Sequence, residues 1–155
     1  MKPMLFIFQL TLVLSLSGNT YAAECDSQCQ DQLVENYFTL LDKVYRESSK
    51  ESDITNLFEL FDSGVKYEHL AYEANFDRNS WMEAFKGNLE RGAYKGSPED
   101  KTKVTNIIFG KTHVAVEYKY GKVAKNGKWS PRDDKGLFAL FGFKDSKITL
   151  VREYW

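Results

Sequence analysis

The order of hydrophobic periods along this chain of 155 residues predicts an α+β domain. Three segments with apolar residues at three- and four-residue steps come first, and the remainder reads as extended segments separated by turn signals. An Asn-Gly pair at Asn126-Gly127 marks one tight hairpin among them. Helices followed by a run of antiparallel strands give a sheet with its helices on one face.

The first helix carries Leu33, Val34, Tyr37, Phe38, Leu41, Val44 and Tyr45 on one wide apolar face. Ser52-Asp53 is positioned to cap a second helix, whose stripe is Ile54, Leu57, Phe58 and Phe61, with Gly64 as its left-handed stop. Val65 to Leu70 reads as a short strand and Tyr72 to Phe76 as its partner. Ser80-Trp81-Met82-Glu83 fits a capping box for a third helix, with Trp81, Phe85 and Leu89 inside and its end near Arg91-Gly92. Gly92 to Lys101 is a polar loop containing Gly96-Ser97-Pro98.

The extended part opens with Val104 to Phe109 and a turn at Gly110-Lys111. Thr112 to Tyr120 then alternates, with Val114, Val116, Tyr118 and Tyr120 on one face and His113, Ala115, Glu117 and Lys119 on the other. The Asn-Gly hairpin lies between Val123 and Trp129. Leu137 to Phe143 is apolar on both faces and is expected at the sheet centre; Ile148 to Trp155 is the last strand. Strand twist curls such a sheet, and helices on its concave side enclose a cone, a natural small-molecule pocket. Aromatic residues make up 15% of the chain, with 11 Phe and 9 Tyr, enough to fill a core and line a cavity.

At the N-terminus, Lys2 precedes an apolar run from Met4 to Leu16, a break at Ser17-Gly18-Asn19, and small residues at Thr20 and Ala22. This is the pattern of a cleaved signal peptide over residues 1–22, with a single mature domain over 23–155 that is secreted or periplasmic. The run is shorter than the roughly 20 residues of a membrane span. An uncleaved anchor is the alternative, and lipidation fails because Glu24 precedes Cys25. Losing Lys2 takes the basic count from 21 to 20 against 22 acidic residues, a balance that argues against nucleic acid and anionic membranes as partners. Cys25 and Cys29, in an oxidising compartment, are expected to form one disulfide, with Cys25 just ahead of the helix. His69 and His113 are the only histidines, and no ligand-spaced metal set exists. There is no nucleophile elbow, phosphate loop or cysteine nucleophile, so catalysis would be acid–base chemistry without metal or cofactor.

The order of elements, with the stretches LFELFDSGVKYEH, NSWMEAFKGNLE and SKITLVREYW, resembles the NTF2-like superfamily over residues 30–155. That group includes SnoaL-like polyketide cyclases, ketosteroid isomerase and scytalone dehydratase, and fold alone does not settle function within it. The resemblance implies a cone of three N-terminal helices on a curved, mainly antiparallel sheet. It implies that Tyr37 corresponds to the oxyanion-donating tyrosine of ketosteroid isomerase and His69 to its general base. Ala139 stands where that enzyme carries its second oxyanion donor, which argues against steroid isomerisation. It further implies that Thr149, Val151, Glu153 and Trp155 point into the cone, with Ala139, Phe141, Val116 and Tyr118 from neighbouring strands.

These expectations yield a candidate site. Tyr37, His69 and Glu153 are the candidate catalytic groups. Leu41, Tyr45, Phe58, Trp81, Phe85, Val116, Tyr118, Phe141, Val151 and Trp155 are expected to line the cone with them. His69 can act as base near neutral pH or serve as a structural histidine at a strand end. Glu153 can shuttle protons with it inside an apolar cone or pair with a Lys or Arg at the rim. The tyrosines can bond a ligand or belong to the core. Three functional readings follow: a binder of a small hydrophobic or amphipathic molecule, an acid–base isomerase, cyclase or dehydratase using His69, Glu153 and Tyr37, and a protein-interaction module. The last would use the outer sheet face, towards which His113 is expected to point and which can also support a homodimer.

Overall fold

A computed structural model describes residues 25–97 and 99–155; the expected signal peptide lies outside the described residues. Helix α1 (Ser27–Val44) is capped by Asp26, whose side chain accepts from the Cys29 amide, and it buries Val34, Tyr37, Phe38, Leu41 and Val44. Cys25 and Cys29 form a disulfide with their Cα atoms 5.2 Å apart, Cys25 lying just ahead of the helix. The buried Gln30 amide donates to the carbonyls of Cys25 and Lys111, tying α1 to the turn that joins two strands.

Helix α2 (Glu51–Phe58) starts two residues earlier than a cap at Ser52 suggests. Lys50 is the cap position, and Asp53 reaches back to accept from the Lys50 amide at 2.9 Å. It also ends earlier. Phe61 and Gly64 belong to strand β1 (Phe61–His69), so Gly64 does not stop the helix. Phe61 continues the helical spacing of Ile54, Leu57 and Phe58 and is equally suited to a buried strand position, so periodicity could not place the boundary. A 3₁₀ turn (Leu70–Tyr72) leads to β2 (Ala74–Asp77) and α3 (Arg78–Glu90). The capping box of α3 is Asp77 with Ser80, three residues ahead of the Ser80–Glu83 pair read from sequence. Ser80 is a partner in both readings, but it is the third helical residue rather than the cap.

Strands β3 (Lys101–Phe109), β4 (His113–Val123), β5 (Trp129–Pro131), β6 (Leu137–Lys144) and β7 (Lys147–Glu153) complete the sheet. Val114, Val116 and Tyr118 face the core and His113 faces out, as alternation predicts. Gly127, at φ +78°, supplies the left-handed residue of the hairpin that pairs Val123 with Trp129. Among the described residues the sheet has seven strands, ordered β2-β1-β7-β6-β4-β3, with β5 on β4. All pairs are antiparallel except β1 with β7, which run parallel.

That parallel pair organises everything that follows. It sets His69 beside Glu153, and β6 and β4 extend the row through Ala139 and Val116. The row behind it runs Tyr67, Val151, Phe141, Val114. One expected position is displaced. A register irregularity opposite Gly142 leaves Ile148 and Val151 buried, and Thr149 lies half-buried beside Gly142 on the outer side instead of pointing into the cone. On that outer face Phe138 and Tyr154 are exposed and their rings meet at 5.2 Å. No helix of the described residues is long and apolar enough to cross a membrane.

Candidate functional site

Between the helices and the sheet the cone is open, with a cavity of about 300 Å³. Helix α1 contributes Tyr37, Leu41 and Tyr45, one helical turn apart, and α3 contributes Trp81 and Phe85. From the sheet come Tyr67, His69, Tyr120 and Glu153, and Tyr72 on the 3₁₀ turn and Trp155 just past β7 complete the wall. Phe58, Val116, Phe141 and Val151, expected on the wall, are instead fully buried core residues that do not reach the cavity. Phe58 packs its ring on Phe61 and Trp81, and Phe141 packs on Tyr37 and Phe38, so these side chains are spent on one another.

Glu153 holds the polar end. It is only 5% exposed, and two tyrosines solvate its carboxylate: the Tyr67 hydroxyl donates to Oε2 at 2.7 Å and the Tyr118 hydroxyl to Oε1 at 2.9 Å. Trp155 Nε1 in turn donates to the Tyr118 hydroxyl at 2.7 Å. Tyr118 lies off the wall, yet its bond decides how the carboxylate sits. The two side chains meet across β6 where Ala139 lies directly beside Glu153, and the small alanine leaves the lane free. A carboxylate buried without such donors would be costly, whereas hydrogen bonds to charged groups are worth about 1.5–3 kcal/mol each.

His69 stands next to it. Its Nε2 is 3.8 Å from Glu153 Oε2, and neither ring nitrogen has a hydrogen-bond partner. The ring is held by packing instead, against Tyr72 at 4.4 Å and edge-on to Trp155 at 4.6 Å. Glu153 therefore does not take the rim ion pair with a Lys or Arg. The Arg152 guanidinium, next in sequence, points to the other face and pairs with Glu68.

Burial, reinforced by the negative charge of Glu153, pushes the phenols of Tyr37, Tyr67 and Tyr118 well above the ordinary tyrosine value. They are protonated donors at any physiological pH. A second hollow of about 210 Å³, lined by Asp42, Ser97, Asp100 and Arg132, shares Tyr45 and Tyr120 with the first. There the buried Asp42 carboxylate accepts from the Thr102 amide and hydroxyl, at 2.9 and 2.6 Å, and burial raises its pKa. Among the described residues no group of three or more His, Cys, Asp or Glu side chains is gathered as a metal site would need.

The sequence missed Tyr67 and Tyr72 as wall residues and Tyr120 as the wall's link to the second hollow. Tyr120 was visible in the alternation of β4, and Tyr67 shares a face with His69 at a two-residue step. Tyr72 carried no signal, because it lies on a 3₁₀ turn.

No family model matches the chain, and no curated protein matches it in sequence. Solved structures do match in fold. An enzyme described as epoxide hydrolase/cyclase-like, SalBIII, acting in pyran ring formation in polyether salinomycin, aligns with a TM-score of 0.55 at 20% identity. That alignment covers 84% of this chain and 92% of the other. An epoxide hydrolase of M. tuberculosis aligns at 0.55 and 14% identity, covering 82% of each chain. A ketosteroid isomerase-like protein of Catenulispora acidiphila DSM 44928, in complex with trimethylamine, aligns at 0.53 and 14% identity over 80% of this chain and 85% of that one. The fold is thus NTF2-like, an α+β cone of three helices on a mostly antiparallel sheet.

Proposed function

We propose that this NTF2-like domain is a secreted or periplasmic binder of a small amphipathic molecule, held in the aromatic cone with its polar end at His69 and Glu153. The open cavity of about 300 Å³ carries the reading, since it lies at the lower end of the size range of small-molecule sites and has their usual make-up, apolar walls with a few convergent polar groups. The compartment is supported by the signal-like N-terminal sequence and by the Cys25–Cys29 disulfide, a bond that persists in oxidising surroundings. The trimethylamine complex of a protein with this fold lends support to a small ligand. The test is native mass spectrometry of protein secreted by its host, joined to a thermal-shift screen of small compounds. A retained mass or a saturable shift is expected. No retained mass and no shift from any compound removes the reading.

One observation favours a second reading, acid–base catalysis. His69 Nε2 and Glu153 Oε2 face the same cavity at 3.8 Å, and such contacts are often long before substrate binds. His69 would be the base, Glu153 its acid partner and the protonated Tyr37 hydroxyl the donor to a developing oxyanion. His69→Ala is expected to leave the fold intact and abolish turnover of any substrate found; unchanged turnover removes His69 from the mechanism.

A further inference from the structure

Glu153 accepts a hydrogen bond on each oxygen and donates none, the wiring of an ionised carboxylate. Among the described residues, no Lys or Arg lines the cavity beside it. The nearest basic side chain is His69, whose ring nitrogens are unbonded at 3.8 Å. Around this anion stand aromatic rings: Tyr67, Tyr72 and Trp155 near it, with Tyr37 and Tyr45 on α1 and Trp81 on α3 completing the wall, and Tyr67 and Trp81 stacked on one another.

Each component selects for charge in the same direction. Ring faces attract cations, most strongly those of Trp and Tyr, and a partly enclosed site weakens screening by water. An anionic ligand would meet repulsion from Glu153. A neutral ligand would fill the space without answering the charge of the carboxylate, which the Tyr67 and Tyr118 hydroxyls alone solvate. A hard metal ion is poorly served, since it takes six or more oxygen ligands and only one carboxylate is present, with both oxygens already engaged. The hydroxyls of Tyr67 and Tyr118 are already engaged with Glu153, so a ligand meets the ring of Tyr67 rather than its hydroxyl.

Resting on the small-molecule reading above, we infer that the cone selects a small organic cation of the alkylammonium class, its head between the Glu153 carboxylate and the ring faces of Tyr72 and Trp155. Choline and 3,3-dimethylbutan-1-ol separate charge from shape, since the second replaces only the quaternary nitrogen by carbon. Titrations followed by tryptophan fluorescence at constant ionic strength read the site directly, because Trp81 and Trp155 line it. Choline is expected to bind at least about tenfold more tightly than the alcohol, and Glu153→Gln to remove that difference while the alcohol's affinity holds. Tyr72→Ala, at a side chain 71% exposed and so free of a folding role, is expected to weaken choline severalfold and the alcohol less. Equal binding of both probes overturns the inference and leaves a small-molecule site. Preference for choline that survives both substitutions overturns it too. Binding of neither probe overturns the inference, while the compound screen still decides the broader reading. Should Glu153→Gln fail to fold by circular dichroism, Tyr72→Ala decides alone.

Discussion

The two ends of the cone are built by the same strands and differ in what those strands carry. On β1 the inward side chains run from Phe61 and Val65 to Tyr67 and His69; along β7 and just past its end they run from Ile148 and Val151 to Glu153 and Trp155. Strand β4 passes from Val114 and Val116 to Tyr118 and Tyr120, and β6, running the other way, from Phe143 and Phe141 to Ala139. At the closed end Phe38, Phe61 and Phe141 fill the space beneath Tyr37 edge to face. At the open end the hydroxyls of Tyr67 and Tyr118 turn towards one carboxylate. Apolar area stabilises in proportion to burial with no need for direction, whereas a buried polar group is tolerated only with its partners in place. The closed end therefore supplies stability and the open end supplies a fixed arrangement of polar groups.

Phe141→Ala should break the closed end. The ring is fully buried and packs on Tyr37 and Phe38, so its removal leaves a cavity lined by groups already locked in place. A loss of about 3–5 kcal/mol in urea-induced unfolding is expected. A loss below about 1 kcal/mol would show that this end is plastic, and the division drawn above would fail.

Tyr118→Phe makes the corresponding cut at the open end. The ring stays, but Glu153 loses a donor and Trp155 Nε1 loses its acceptor. The expected cost is about 1–3 kcal/mol, smaller than that of the lost ring. The same variant has a signature at high pH. In the folded protein Tyr118 is held protonated by burial and by Glu153, whereas in the unfolded chain it ionises near its ordinary value of about 10. Above that value the unfolded state binds fewer protons, so stability falls as pH rises. Tyr67 and Tyr37 act in the same sense. The stability of the wild-type protein should thus drop more steeply than that of Tyr118→Phe between pH 9 and pH 11, and the gap between them should narrow. Parallel curves would mean that Tyr118 titrates alike in both states.

The sequence carried much of the closed end and only part of the open one. Helix α1 and the alternation of β4 were legible because each buries one continuous face, and a single burial direction leaves a clean period. Neighbours were not legible. A period of two says which face a residue takes but not which strand lies beside it, so the parallel pairing that brings His69 to Glu153 was not legible, and only the family resemblance aimed the two side chains into one cone. The hydrogen bond from Tyr118 to Glu153 was hidden for a related reason. It crosses an intervening strand, and its condition is a small residue at Ala139, a position whose size matters only once its neighbours are known. Phe58 and Phe141 were misplaced to the wall because an aromatic side chain on the inner face reads alike whether it meets a ligand or another ring.

The smallest effect on stability belongs to the rim, and it sharpens the contrast most. Tyr72 is 71% exposed on the 3₁₀ turn after β1, and its ring lies 4.4 Å from that of His69. An exposed side chain with no hydrogen bond to lose contributes little to folding, so Tyr72→Ala should change stability by no more than about 0.5 kcal/mol. It nevertheless removes one wall of the cavity and the ring packed against a histidine that no hydrogen bond holds. Ligand affinity should therefore fall while the unfolding curve stays where it was. A destabilisation above about 1 kcal/mol would instead make Tyr72 a clamp on His69, and the open end would then owe its shape to packing, as the closed end does.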